Sequence, residues 1–145
     1  MPSGPPTPIL VGGGAVDLSP RFVQSSTVAA SPSGSAETAI CTVAIPANIT
    51  QGAGILLLGW AAFTVGTSGV SANLRIRQTG TSGTVIAATG ATTGGIAAAN
   101  LVDINVQGLD TAGVLPNQVY ALTLTVGSGA AASTVSGASL VALVI

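Results

Sequence analysis

Few side chains of this 145-residue chain could do acid–base or ionic chemistry. The charged set is Arg21, Arg75, Arg77, Asp17, Glu37, Asp103 and Asp110, and there is no histidine and no lysine. Without histidine the chain has no imidazole base, no Ser-His-Asp triad and no histidine metal ligand. Cys41, the only cysteine, cannot build a structural zinc site and reads as a small buried apolar residue. The composition therefore predicts a protein that is not an enzyme and uses no cofactor or metal.

Asp103 and Asp110 are the only two acids close in sequence within the chain's second half. Seven residues apart, they could meet across a turn as a glycosidase-like pair, or bind calcium together with backbone carbonyls. Neither idea has further support, because the dense acidic spacing of calcium loops is missing. Asp110 lies in the segment LDTAG, where we expect it to cap its own turn through an Asx-type bond.

Arg75 and Arg77 are the only paired charges, on a segment that alternates apolar and polar residues. One interpretation is a solvated strand face that discourages edge pairing. The other is an intersubunit contact with Asp103, Asp110 or an acid of a partner. Three arginines cannot neutralise a series of phosphates, so nucleic-acid binding is not expected.

Trp60 and Tyr120 are expected to be core or interface aromatics, with a two-aromatic sugar platform as the alternative. The longest apolar run, residues 53–63, would reach only about 17 Å as a helix, against a hydrocarbon core of about 30 Å. No membrane span is expected. The start, MPSGPPTP, lacks the basic region of a signal peptide, which predicts synthesis in the host cytoplasm without export.

Short strands separated by Gly, Ser, Thr and Asn turns must position these residues. The composition, with 20 Gly, 8 Pro and 5% charged residues, lacks helix formers and favours sheet. The predicted strands are residues 38–45, 53–65, 71–79, 84–89, 96–99 (weak), 101–107, 118–126 and 134–145. About eight evenly spaced strands predict an all-β fold, an antiparallel β-sandwich or jelly roll. A β-helix or solenoid is the alternative, although no fixed-length repeat is present.

The first 36 residues differ in composition and contain six of the prolines. They predict an extended Pro/Gly/Ser-rich arm over residues 1–36, ahead of a β-sandwich domain over 37–145. A disordered tail is the alternative interpretation, but we expect the arm to dock on a neighbouring subunit. Its predicted anchors are Ile9, Leu10, Val11, Phe22 and Val23.

The small number of charges predicts that much of the surface is covered in the working state. Seven charges correspond to roughly one per 950 Å² of a folded monomer, where average composition gives about one per 180 Å². The run at residues 140–145 is apolar on both faces and would be buried around a twofold or threefold axis. The predicted oligomer contacts are Leu140, Val141, Leu143, Ile145, Arg75 and Arg77.

Residues 38–145 resemble small jelly-roll modules of tailed-bacteriophage virions, which are similar to trimeric C1q/TNF-like knobs. The resemblance is carried by an apolar strand ending near Trp60 and Phe63, an L-R-I-R-Q-x-G strand and turn, a Y-x-L-x-L-x-V strand, and a final S-G-A-S-L-V-A-L-V-I strand. It carries over no catalytic residue.

Among such modules, the chain resembles most the decoration (cement) proteins of phage capsids. The resemblance implies a structural virion protein without enzymatic sites. Such a protein binds the major capsid protein on the capsid exterior as a homotrimer and is held by its arm. Two alternatives stay open. One is a receptor- or glycan-binding knob of a tail fibre, spike or head fibre, and the other is another capsid or surface-layer subunit.

Overall fold

The computed structural model describes residues 22–26, 30–32, 36–49, 52–67, 70–89, 96–127 and 132–145. These residues form eight strands and no helix. The strands are β1 (Phe22–Ser26), β2 (Thr38–Ala44), β3 (Ile55–Thr64), β4 (Ala72–Gln78), β5 (Val85–Ala88), β6 (Leu101–Asp110), β7 (Val119–Val126) and β8 (Thr134–Val144).

The strands form two antiparallel four-stranded sheets. The first sheet has the order β1-β8-β3-β6 and the second has the order β2-β7-β4-β5. Six of the seven chain connections pass from one sheet to the other, and only β4 and β5 are joined within a sheet. This is the interleaved order of a jelly roll, so the predicted fold class is confirmed. A solenoid is excluded, because its successive strands would stack in parallel layers.

Alternating residues of both sheets fill the space between them. β7 turns Tyr120, Leu122 and Leu124 inward, and all three are fully buried. β4 turns Leu74 and Ile76 inward in the same way. This period-2 pattern is the reason why the strand positions could be predicted from sequence. Cys41 is a buried residue of β2, as expected.

β3 is apolar on both faces because it lies in the middle of the first sheet. It pairs with β8 on one side and with β6 on the other over its whole length. Its inward residues include Ile55, Leu57 and Phe63, none of which has exposed surface. The apolar residues on both faces of this segment are typical of a central strand, while its outward apolar residues need a separate explanation.

Three predictions differ from the structure by more than two residues. The weak strand at residues 96–99 is not formed; only an isolated bridge joins Ile96 to Val70. β6 continues to Asp110, whereas a loop was expected from residue 108. β6 continues to Asp110 because β3 offers it pairing partners as far as Ile55.

The third difference concerns β1, which lies inside the segment predicted as an arm. Phe22–Ser26 pairs with β8 of the same chain, in a register that joins Phe22 to Leu143. Five residues between proline-rich segments carry little sequence signal, and the backbone bonds offered by the edge of β8 decide their conformation. In the part of the chain that the structure describes, the first strand of the jelly roll therefore begins at Phe22.

Candidate interaction surface

The outward side of the first sheet carries large apolar side chains on all four strands. Alternation along β3 turns Leu56, Leu58 and Trp60 outward, since successive strand residues point to opposite sides. The other three strands, β1, β6 and β8, place further apolar side chains beside these residues in the strand register. The outer apolar face consists of Phe22, Leu56, Leu58, Trp60, Leu109, Val141 and Leu143.

Four of these side chains are strongly exposed in the single chain. The exposed fraction is 51% for Phe22, 49% for Leu109, 43% for Leu58 and 37% for Trp60. Single exposed apolar residues are ordinary, but a contiguous group on one face marks a contact surface. The sequence signal for this face was the two-sided apolar character of the segment that became β3.

The ring of Trp60 reaches over the neighbouring strand β8, which has a glycine, Gly137, at that place. A Cβ atom on Gly137 would stand 2.9 Å from the Cη2 atom of the indole. A larger residue would therefore lift the ring from the sheet. Trp60 is the only tryptophan of the chain, so its fluorescence reports directly on whether this face is covered.

A shallow depression of about 500 Å³ opens beside Trp60 on the same face. Its lining residues are Leu58, Gly59, Asn105, Val106 and Gln107. Gly59 faces the core, where a Cβ would come within 2.6 Å of Leu122. The depression thus combines two amide side chains with the side chain of Leu58.

The predicted arm anchors fall partly within this face. Phe22 points outward, whereas Val23 packs against the core. Ile9, Leu10 and Val11 lie outside the described residues. A role of these five residues as arm anchors stays a prediction.

The predicted oligomer contacts on β8 divide between its two sides. Leu140 has no exposed surface and belongs to the core of its own chain. Val141 and Leu143 point outward and are half-buried, and Ile145 is exposed. A contact of this terminal run with another subunit therefore falls to Val141, Leu143 and Ile145, and it stays a prediction.

Arg75 and Arg77 meet an acid that sequence analysis had not linked to them. Arg77 donates to Glu37 from Nε at 2.6 Å and from Nη2 at 2.8 Å, which makes a bidentate pair. Arg75 Nη1 donates to the same carboxylate at 3.0 Å, and the Thr123 hydroxyl also donates to it. Glu37 lies 38 and 40 residues from its arginines, so no local spacing could have revealed the cluster. An intersubunit role of the arginines stays a prediction.

The bonds from Arg77 and Thr123, opposed in part by burial, hold the pKa of Glu37 below its ordinary value of 4.5. A lowered pKa in the folded state means that the cluster stabilises the fold above about pH 4.5. This contribution is lost as the pH falls through the lowered pKa.

Glu37→Gln is expected to lower the free energy of unfolding by about 1–3 kcal/mol at pH 7, because charged hydrogen bonds are lost. The difference from the wild type should shrink as the pH falls below 4. Urea unfolding at several pH values measures it. Asp103→Asn, at an exposed position, is the control for net charge. An equal effect of Glu37→Gln at pH 7 and pH 3 would contradict the role of this cluster.

Asp103 and Asp110 do not form a site with each other. Both lie on β6, and their odd spacing places them on opposite sides: Asp103 is exposed and Asp110 is buried. Asp110 Oδ1 accepts a bond of 2.9 Å from the amide of Ala112, which is the expected Asx-type cap. Because Asp110 is buried, the suggested contact between it and an arginine of a partner is wrong.

Tyr120 is also fully buried, which excludes the two-aromatic sugar platform. Its hydroxyl donates to Asp110 Oδ2 at 2.7 Å, and the Gln118 amide donates to the same atom at 3.2 Å. Burial and this bond raise the pKa of Tyr120. The network joins β7 to β6 and so links the two sheets at one end of the core.

Among the described residues, no group of three or more His, Cys, Asp or Glu side chains could hold a metal ion. The described part of the chain also contains no helix long and apolar enough to cross a membrane. In the part of the chain that the structure describes, the outer apolar face, with its exposed large side chains, is the candidate interaction surface.

Neither a known protein family nor a curated protein matches the chain. Solved structures of infectious bursal disease virus do. The chain is similar to VP2 of the subviral particle with a TM-score of 0.55 and 16% identity, over 99% of this chain and 38% of that one. A chain of the viral particle gives a TM-score of 0.57 and 12% identity, over 92% and 36%. Derived T=1 particles give 0.57 and 14%, over 99% and 36%.

At these identities the similarity establishes the fold and nothing more. The chain spans just over a third of the length of the solved chains that it matches. The jelly-roll part of the resemblance is confirmed by the strand order. Its tailed-phage and C1q/TNF-like parts stay predictions.

Proposed function

We propose that this chain is a structural protein of a virus particle that works as a homo-oligomer and decorates a capsid. The observation that carries the proposal is the outer apolar face on a jelly roll with few charges. Such a face is poorly suited to a free monomer, because exposed contiguous apolar surface promotes association. A protein that is covered on one side in its working state explains both features.

The shared fold adds support of a weaker kind. The solved chains with this fold come from particles of infectious bursal disease virus, and the capsid protein VP2 is among them. A fold does not fix a function. It does agree with what the surface and the absence of histidine and lysine suggest, namely assembly rather than catalysis.

The decoration role assigns a task to the residues ahead of β1. Because the first described strand begins at Phe22, we narrow the proposed arm from residues 1–36 to residues 1–21, which would contact the major capsid protein. Its apolar segment is Ile9, Leu10 and Val11. The arm would tie the sandwich to the capsid exterior, and the trimeric state follows from the resemblance alone.

Two other functions each have one observation in their favour. A shell-forming subunit is favoured by the similarity to particle-forming VP2. A glycan-binding knob is favoured by the depression beside Trp60. The Asn105 and Gln107 amides that line it could bond sugar hydroxyls, while the Trp60 indole stacks on the sugar ring.

A mass measurement separates these functions. We expect the purified chain to form a small oligomer alone and to co-sediment with empty capsids isolated from cells that carry its gene. Particles formed by the chain alone would indicate a shell subunit. Saturable quenching of Trp60 by an oligosaccharide, without capsid binding, would indicate a knob. A chain that stays monomeric and binds neither would contradict the proposal.

A further inference from the structure

The outward side chains of the first sheet lie in three register rows that cross its four strands. The strand pairing sets Leu143, Leu56 and Leu109 in line with Phe22. The next row contains Gln24, Val141, Leu58 and Gln107, and the third contains Ser139, Trp60 and Asn105. The first row is entirely apolar, and β3 continues the apolar surface through the other two. The geometric centre lies between Leu58 and Val141.

None of the side chains in these three rows is charged. The polar ones are amides and hydroxyls at the margins, such as Gln24, which donates to Ser139 Oγ at 3.2 Å. Amides and hydroxyls both donate and accept, so each can bond to its own kind. A charged side chain near a twofold axis would instead face its own copy and repel it. The chemistry of the rows therefore suits an identical partner.

The shape of the face also suits an identical partner. It carries both a large, partly exposed side chain, the indole of Trp60, and the depression lined by Asn105, Gln107 and Leu58. In a twofold contact the same patch of both copies forms the interface, so each copy offers both features to the other. The large side chain of one copy can then occupy the depression of its partner.

The outer side of the whole first sheet is large enough for a specific contact. It has three strands of about ten residues and one of five, which cover roughly 570 Å² at about 4.8 Å between strands and about 3.4 Å per residue. Two copies would bury roughly 1,150 Å² in total, above the threshold of about 1,000 Å² for a biological interface. Two such sheets pack face to face at about 10 Å, as the sheets of a sandwich do.

We infer that the outer apolar face packs against the same face of a second copy of this chain across a twofold axis near Leu58 and Val141. This inference rests on the proposed function, since it names the partner of the same face. The contact places Trp60 of each copy in the depression of the other. It can join two monomers, or two larger oligomers, without using the arm.

A single engineered cysteine tests the symmetry directly, because only a twofold contact brings a residue close to its own copy. In a Cys41→Ala background, Leu58→Cys is treated with a short bismaleimide. We expect a covalent dimer in high yield. Thr42→Cys, exposed on the second sheet, is the matched control and should stay monomeric. Failure of Leu58→Cys to cross-link, or equal cross-linking of both variants, would overturn the inference.

A charge at the centre of the face provides the second measurement. Leu58→Asp should weaken association at least roughly thirtyfold, the loss typical of a central contact residue. Sedimentation should show the smaller mass, and Trp60 emission should shift to longer wavelength as the indole meets water. Thr42→Asp should change neither. Circular dichroism checks that both variants fold.

The outcomes also separate this inference from the proposed function. Unchanged mass of Leu58→Asp would overturn the twofold contact, whatever happens with capsids. If Leu58→Asp lost capsid binding while the wild type was monomeric, the face would contact the capsid protein; the inference would fail and the proposed function would stand. If Leu58→Cys stayed monomeric while its Trp60 emission remained that of a covered indole, the chain's own arm would cover the face and the inference would fail.

Discussion

Leu140→Ala is expected to lower the free energy of unfolding by about 2–5 kcal/mol and to leave self-association of the folded protein unchanged. Leu140 has no exposed surface, although it lies in the terminal run whose apolar character suggested an oligomer contact. Removing its side chain leaves a cavity between the sheets. The loss is a core loss, because the neighbours of Leu140 belong to its own chain. Chemical unfolding measures the first effect and sedimentation of the folded variant measures the second.

The matched control is Val141→Ala, one residue further along β8. Val141 points outward and is half-buried, so we expect a smaller loss of stability, about 1 kcal/mol, together with weaker association. The two variants thus distinguish the effect of the core-facing side of β8 from the effect of its outward side. If Leu140→Ala weakened association while unfolding at the wild-type denaturant concentration, the assignment of this residue to the core would be wrong.

Removal of residues 1–26 is expected to cost several times more stability than removal of residues 1–21. The shorter deletion leaves all eight strands in place. The longer one removes β1, which pairs with β8 from Phe22 to Ser26 and packs Val23 against the core. Loss of a buried valine and of the strand's hydrogen bonds amounts to about 3 kcal/mol or more. It also leaves the backbone groups of β8 unpaired at a sheet edge, which favours aggregation.

Urea unfolding and the soluble fraction after expression measure the difference between these two truncated chains. The chain that begins at Phe22 also tests the arm: it should fold and keep its oligomeric state, yet lose capsid binding. Full capsid binding by this chain would contradict the anchoring role of residues 1–21. Equal stability of the two truncated chains would show that β1 contributes little to the sheet.

Strands with a regular alternation could be predicted because their burial pattern is written in consecutive residues. Leu74 and Ile76 lie inward between outward arginines, as the sequence indicated. The two-sided apolar character of β3 likewise agrees with its place between β6 and β8. These features depend on local order and on the period of a strand, which any antiparallel sandwich shares.

Features that depend on partners far along the chain could not be predicted. Glu37 finds Arg75 and Arg77 only because β2 and β4 both pair with β7. β1 exists because β8 offers a free edge, and its own five residues do not specify it. The segment at residues 96–99 has an apolar residue but no adjacent strand to pair with beyond a single bridge. Leu140 and Val141 could not be assigned to core and surface until the register of β8 was known.

The interleaved strand order has a consequence for how the protein is made. β8 lies between β1 and β3, so the first sheet is not continuous until residues 134–144 have left the ribosome. Pairing of strands so distant in sequence is slow compared with the formation of local contacts. Nascent chains on one messenger therefore carry no finished apolar face through which to associate prematurely. Emergence of residues 134–144 sets the earliest moment at which subunits can recognise one another through this face, which would keep such a sparsely charged protein from clustering on the polysome before that point.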